Sequence, residues 1–183
     1  MAVPNRIRFR AEDIWDTPDD GNRYEVIDGE LYVSPPPSFD HQLAVSELFL
    51  QLGVHIKSHR LGTLLPAPLG VILGVGAGVQ PDLVYISQQR SNIIMPRGIE
   101  GAPDLVIEVL SPSTMNRDRG VKMTQFAQAG IPHYWIVDPR SHRLEAYQLT
   151  DEGYSLVVNL GAADVFLPVL FPGFELKLSE LWG

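Results

Sequence analysis

The spacing of apolar positions along the chain changes several times, and each change marks an element. In RYEVIDGELYVS (23–34), short strand-like runs flank Asp28-Gly29. That dipeptide suits a two-residue hairpin turn, and PPPS (35–38) ends the second strand. Between Phe39 and His59 the period lengthens, with Val45, Leu48, Leu52 and Ile56 at helical spacing. Ser38 or Asp40 can cap this helix, and His41, four residues before Val45, starts on its inward face. Gly and Pro then punctuate three strand-like runs, GTLLPAPLGVILG (62–74), PDLVYIS (81–87) and DLVIEVL (104–110), with a loop expected over 88–103. A second helix is expected from about Arg117 to Ala129, stopped by Gly130 and Pro132. HYWIVD (133–138) and RLEAYQL (143–149) read as a hairpin across PRSH, and short strands around 154–159 and 173–177 finish the pattern. The order predicts a mixed α/β fold: a polar N-terminal segment, 1–22, then one domain, 23–183, with a central mixed sheet flanked by helices.

Composition narrows the classes. A chain of 183 residues with 45% apolar content can bury a proper core and is not a disordered polymer. The sequence holds no run long enough to cross a bilayer and no basic-then-apolar leader, so a soluble cytoplasmic protein is expected. The absence of cysteine excludes disulfides, thiolate zinc sites and a thiol nucleophile. A net charge of −8 argues against a broad nucleic-acid-binding face, but not against an enzyme that meets phosphates through a metal ion and a few local cations.

The chemistry centres on two carboxylates. Glu108 sits among Leu105, Val106, Ile107, Val109 and Leu110, where an unpaired charge is costly. Asp82 follows Pro81 at the start of another strand. If the two strands pair, the carboxylates converge and repel unless a cation joins them. Hard divalent ions take such oxygen ligands. Lys122 on the following helix is the nearest lysine; spacing alone favours a plainer role for it, an i,i+4 pair with Asp118 on a solvated face. Plainer roles exist for the others too: a turn for Asp82, an edge strand for Glu25, a helix start for His41. Asp104 and Asp138 suit caps or turns. Tyr134 and Trp135 suit the core, and His55, His59 and Arg60 the solvated end of a helix.

Pro81-Asp82 followed by Glu108-Val109-Leu110 resembles the metal-binding core of the PD-(D/E)xK nuclease superfamily, with its lysine moved from the strand, where Leu110 stands, to the next helix at Lys122. More narrowly, YEVIDGEL, His41, PDLVYIS, GAPDLVIEVLSPST, Asp118, Lys122, GIPHYWIVDP and LFPGFEL, spanning roughly residues 22 to 178, resemble the Uma2 family of restriction-type endonucleases. The resemblance implies a restriction-endonuclease-like domain in which Asp82, Glu108 and the carbonyl of Val109 ligate Mg²⁺ or Mn²⁺. Lys122 would orient or activate the attacking water or stabilise phosphate charge, and Glu25 and His41 would contact the metal or place the water. The implied reaction is Mg²⁺-dependent hydrolysis of DNA phosphodiesters, with a homodimer suited to cutting both strands. Arg90, Arg97, Arg117, Arg119 and Lys122 flank the site in sequence and are expected to form a positive rim. Two alternatives stand beside this: a catalytically inactive nuclease-fold module for binding or assembly, and a hydrolase of another phosphate ester. The net charge favours these two. The direction in which Lys122 points separates enzyme from module.

Overall fold

A computed structural model describes residues 8–74 and 76–183. Residues 1–7 of the expected N-terminal segment lie outside the described part. Strands β1 (Arg23–Ile27) and β2 (Glu30–Ser34) pair antiparallel, with Ile27 opposite Glu30. Asp28 and Gly29 both adopt positive φ, 53° and 78°, the turn geometry that matches the twist of a tight hairpin. Helix α1 (Phe39–Ser58) follows, its first turn capped by Ser38, whose hydroxyl accepts the His41 N–H. Its apolar stripe buries Ala44, Leu48, Leu52 and Ile56, with Val45 half-buried.

The 62–74 run divides into β3 (Gly62–Pro66) and β4 (Val71–Leu73), and these join different sheets. Next come β5 (Ala77–Val79) and β6 (Leu83–Ser87). The expected loop over 88–103 holds a 3₁₀ turn, Gln88–Ile93, and a small hairpin of β7 (Ile94–Met95) and β8 (Gly98–Glu100), strands too short to carry a readable period. After β9 (Leu105–Val109), the second helix runs as α2 (Met115–Arg117), a π-helical turn (Asp118–Lys122) and α3 (Met123–Gln128). Gly130, at φ 78°, turns the chain out of it. The strands β10 (His133–Asp138), β11 (Arg143–Thr150) and β12 (Gly153–Leu160) form a meander, and β13 (Val165–Phe166) pairs with β14 (Leu176–Lys177).

The mixed α/β architecture is as expected, with the strands shared between two six-stranded sheets, β2-β1-β5-β4-β8-β7 and β12-β11-β10-β9-β6-β3. Each is mixed, with one parallel pair, β4–β8 in the first and β9–β10 in the second. The central strands of the second sheet, β6, β9 and β10, are buried on both faces. Leu83, Tyr85, Ile107 and Val109 pack with Leu48 and Leu52 of α1 and with Phe171 and Leu178 of the C-terminal segment. Val84, Ile86, Val106 and Ile136 face the other way, against Val71 and Val79 of the first sheet and Phe126 of α3. Each such side chain contributes about 1.5–3 kcal/mol. A 3₁₀ turn, Ala11–Asp16, is pressed onto the first sheet so closely that a Cβ on Gly78 would stand 2.2 Å from the Ala11 carbonyl oxygen. No helix among the described residues is long and apolar enough to cross a membrane.

Candidate active site

The antiparallel register of β6 and β9 sets Leu83 against Ile107, so the next position outward places Asp82 beside Glu108. Strand alternation turns Glu108 to the side of Val106 and Leu110, between the two sheets. Every oxygen of Asp82 is engaged: Arg23 Nη2 lies 2.7 Å from Oδ1, and Oδ2 accepts the Val109 N–H at 2.8 Å and faces His41 Nε2 at 3.2 Å. Glu25 Oε1 accepts the Gln80 N–H at 3.0 Å and the Lys122 ammonium at 2.8 Å, while Oε2 lies 3.6 Å from Arg117 Nε. Lys122 also touches Glu108 Oε1 and lies 3.6 Å from Asp118 Oδ1. Glu25, Asp82, Glu108, Asp118 and Lys122 are each only 1% exposed.

The π turn carries both Asp118 and Lys122, and it is anchored: the Tyr134 hydroxyl donates to the Asp118 carbonyl at 3.0 Å. Wide turns of this kind recur at functional sites because they re-aim side chains within a helix. Arg117, one residue earlier, donates to the Ser34 hydroxyl and lies 5.1 Å over the Tyr32 ring.

Four carboxylates (Glu25, Asp82, Glu108, Asp118) thus share three permanent cations (Arg23, Arg117, Lys122), a surplus of one negative charge in a buried place. The surplus settles on particular groups. Burial pushes Asp82 up, but the His41 hydrogen bond and the Arg23 charge outweigh it and hold its carboxyl well below the usual range. Burial likewise opposes ionised Glu25, and Lys122, through charge and hydrogen bond, overcomes it. Glu108 differs: burial, aided by Asp118, Asp82 and Glu25, raises it well above its ordinary value despite Lys122. Asp118 is raised by burial as well. Burial disfavours the Lys122 ammonium, but Glu108, Glu25 and Asp118 reverse that and hold the proton on it. Lys122 is therefore the fixed charge of the cluster, and Glu108 is the carboxyl whose ionisation its surroundings oppose most strongly.

The cluster floors a cleft of about 560 Å³. Pro35, Pro36 and Pro37 stand on one side of its mouth, and Ser111, Ser113 and Thr114 also line it. The structure brings Asp82, Glu108, Lys122, Glu25 and His41 together, with the Val109 backbone on Asp82. It corrects two expectations. Lys122 does not lie on a solvated face, because it shares the buried side of its helix with Asp118, Gln125 and Phe126, while Arg119, Thr124 and Gln128 take the solvent. The positive rim does not form: Arg90 bridges Asp104 and the Ala102 carbonyl, Arg97 pairs with Asp16 and Arg119 with Glu145, leaving Arg117 and Lys122 in the site. The plainer roles hold elsewhere. Asp138 accepts the Arg140 N–H in its turn, and Tyr134 and Trp135 are core, whereas Asp104 makes no local cap but ties the distant Ser87 N–H and Arg90. Sequence reasoning missed Arg23, although strand spacing from Glu25 puts it on the same face.

Among the described residues, no group of three or more His, Cys, Asp or Glu is arranged to hold a metal ion, since Lys122 and Arg23 stand against the carboxylates. The carboxylates are nevertheless donors of the kind a hard divalent cation takes. The set is all oxygen and carries a surplus negative charge, and the buried Asp118 Oδ1 accepts no hydrogen bond.

Comparison with known proteins places the fold and the family. A crystal structure from Anabaena variabilis, described as a "putative nuclease belonging to DUF820", shares the fold with a TM-score of 0.77 at 18% identity, over 95% of this chain and 97% of that one. An uncharacterized protein of Synechocystis sp. (strain PCC 6803) is 40% identical over 63 residues, which is 34% of this chain and 33% of that protein. The match thus spans about a third of that relative's length. The model of the Uma2 family, described as "Putative restriction endonuclease", matches residues 11–179, and the chain belongs to that family.

Proposed function

We propose that this protein is a metal-dependent endonuclease that hydrolyses DNA phosphodiester bonds in the cleft above Lys122. One observation carries the reading: Lys122 is buried and aimed at Glu25 and Glu108, beside Asp82, at the floor of an open cleft. Such a cluster is a poor way to stabilise a fold, because buried ion pairs scarcely repay their desolvation. Charged groups with strongly displaced proton affinities in a cleft are the usual mark of chemistry. Asp82 and Glu108, with the Val109 carbonyl, would hold Mg²⁺ or Mn²⁺. A bound divalent ion polarises a phosphoryl oxygen and lowers the pKa of its water.

The chain's own groups do the rest. His41 and the Val109 N–H fix the Asp82 carboxylate in one rotamer. The Gln80 N–H fixes Glu25, and Glu25 in turn orients the Lys122 ammonium. Lys122 keeps its charge through the neutral range and stabilises negative charge developing on the phosphate. Removing a donor of this kind lowers turnover by about 10²–10³-fold.

The absent rim and the charge of −8 favour a second reading, a phosphate-ester hydrolase or an inactive module. Plasmid and linear DNA incubated with Mg²⁺ or Mn²⁺ decide between them, with Glu108→Gln and Lys122→Met beside the parent. Cleavage by the parent alone supports the endonuclease. Equal cleavage by Glu108→Gln removes the site assignment. Metal binding by calorimetry without cleavage of any phosphodiester supports the module.

A further inference from the structure

We propose that a second copy of this chain docks on the outer face of α1, with the two α1 helices antiparallel and crossing on the side opposite Leu52, level with that residue. Opposite the buried stripe, α1 shows the solvent an apolar one: Leu50 is 59% exposed and Val54 62%. Glu47 precedes this stripe and Lys57 follows it, and neither has an ion-pair partner among the described residues. These four positions are symmetric about residue 52. Antiparallel pairing therefore sets Leu50 against Val54 of the second copy, and Glu47 against Lys57 of the second copy, twice over. A heterologous partner has no reason to match this internal symmetry, whereas a two-fold contact requires it.

Gly53 is an independent sign. It lies inside a regular helix, with nothing within 4 Å of where its Cβ would stand. Glycine there weakens the helix, and nothing among the described residues calls for it. A closely approaching helix does. Beside the stripe runs a groove between α1 and β3, the open edge strand of the second sheet, which widens the apolar footprint. A strongly acidic chain resists indiscriminate self-association, so matched local charges matter to such a contact. Gln42, Ser46 and Phe49 of the same helix line the active cleft. The two clefts would then flank the pair, their His41 residues about 33 Å apart along it at 1.5 Å of rise per residue. The surface goes beyond the nuclease reading and does not depend on it.

Sedimentation velocity on the full chain tests the proposal, with thermal melts to confirm folding. The parent is expected to be a dimer in the micromolar range. Leu50→Glu is expected to be a folded monomer. Glu47→Lys and Lys57→Glu should each weaken the dimer by about tenfold or more, through like charges facing across the axis. An equimolar mixture of the two single variants should recover it as a mixed dimer, and the double reversal in one chain should recover it too. A monomeric parent overturns the proposal. So does a dimer unchanged by Leu50→Glu, which would move the interface elsewhere, such as the exposed Leu167 and Val169. Single reversals that weaken the dimer without recovery on mixing would overturn the antiparallel register.

Discussion

Replacing Lys122 by Met keeps the length of the side chain and removes its charge. The ammonium touches Glu108, lies 2.8 Å from Glu25 and 3.6 Å from Asp118, and none of these side chains is more than 2% exposed. Without it, three carboxylates face one another at the bottom of the cleft, almost wholly withdrawn from water. Loss of one partner from a buried ion pair costs about 3–5 kcal/mol, a large share of the 5–15 kcal/mol that holds a domain together. The loss must depend on pH. Lys122 is the main influence lowering Glu25, Glu108 and Asp118, so its removal raises all three. A carboxyl whose folded pKa lies above its unfolded value adds stability below the unfolded value and loses it as pH rises through the folded one. The deficit of Lys122→Met is therefore smallest in acid, below the ordinary values of 3.8 for Asp118 and 4.5 for Glu108, and grows toward pH 8. Urea unfolding followed by circular dichroism at several pH values measures it. A deficit below about 1 kcal/mol at pH 8, or one independent of pH, would refute the idea that Lys122 neutralises the cluster.

The other carboxylates should behave oppositely to one another. Glu108→Gln removes the group that repels its neighbours, so the metal-free protein should be as stable as the parent or more so. Its stability should also lack the decline that the raised Glu108 imposes on the parent above pH 4.5, as urea midpoints across pH would show. Asp82→Ala strips partners from Arg23, His41 and the Val109 N–H and should cost about 3 kcal/mol in the same assay. In the parent, the contribution of Asp82 is present above 3.8 and lost as pH falls through its depressed value, so Asp82→Ala should track the parent most closely in acid.

Local signals carried much of this molecule. Asp28-Gly29 announced the first hairpin because two adjacent positive φ values admit few residue types. Five apolar neighbours marked Glu108 as a charge in need of a partner. The division into two sheets was not readable, since β4, β5, β7 and β8 are two or three residues long and show no period. The burial of Lys122 was hidden for another reason. Its spacing from Asp118 is the same on a wet helix face as on a dry one, and only the packing of that helix tells them apart. The expected arginine rim failed because closeness in sequence to the site did not survive folding.

The site's ion pairs span long stretches of chain: Lys122 meets Glu25 across 97 residues, and Arg23 meets Asp82 across 59. On the ribosome, Glu25, Asp82 and Glu108 all emerge before the ammonium that neutralises two of them. Until it arrives, closing the sheets over those carboxylates would strand charge away from water, so they stay hydrated. Such pairs between distant parts of the chain close late by their nature, because the loop between the partners must be closed first. A polypeptide released before that helix is complete has the acidic half of the machinery and no way to enclose it. A chain cut short before Lys122 therefore keeps the carboxylates of the cluster and lacks the ammonium that joins Glu25 to Glu108.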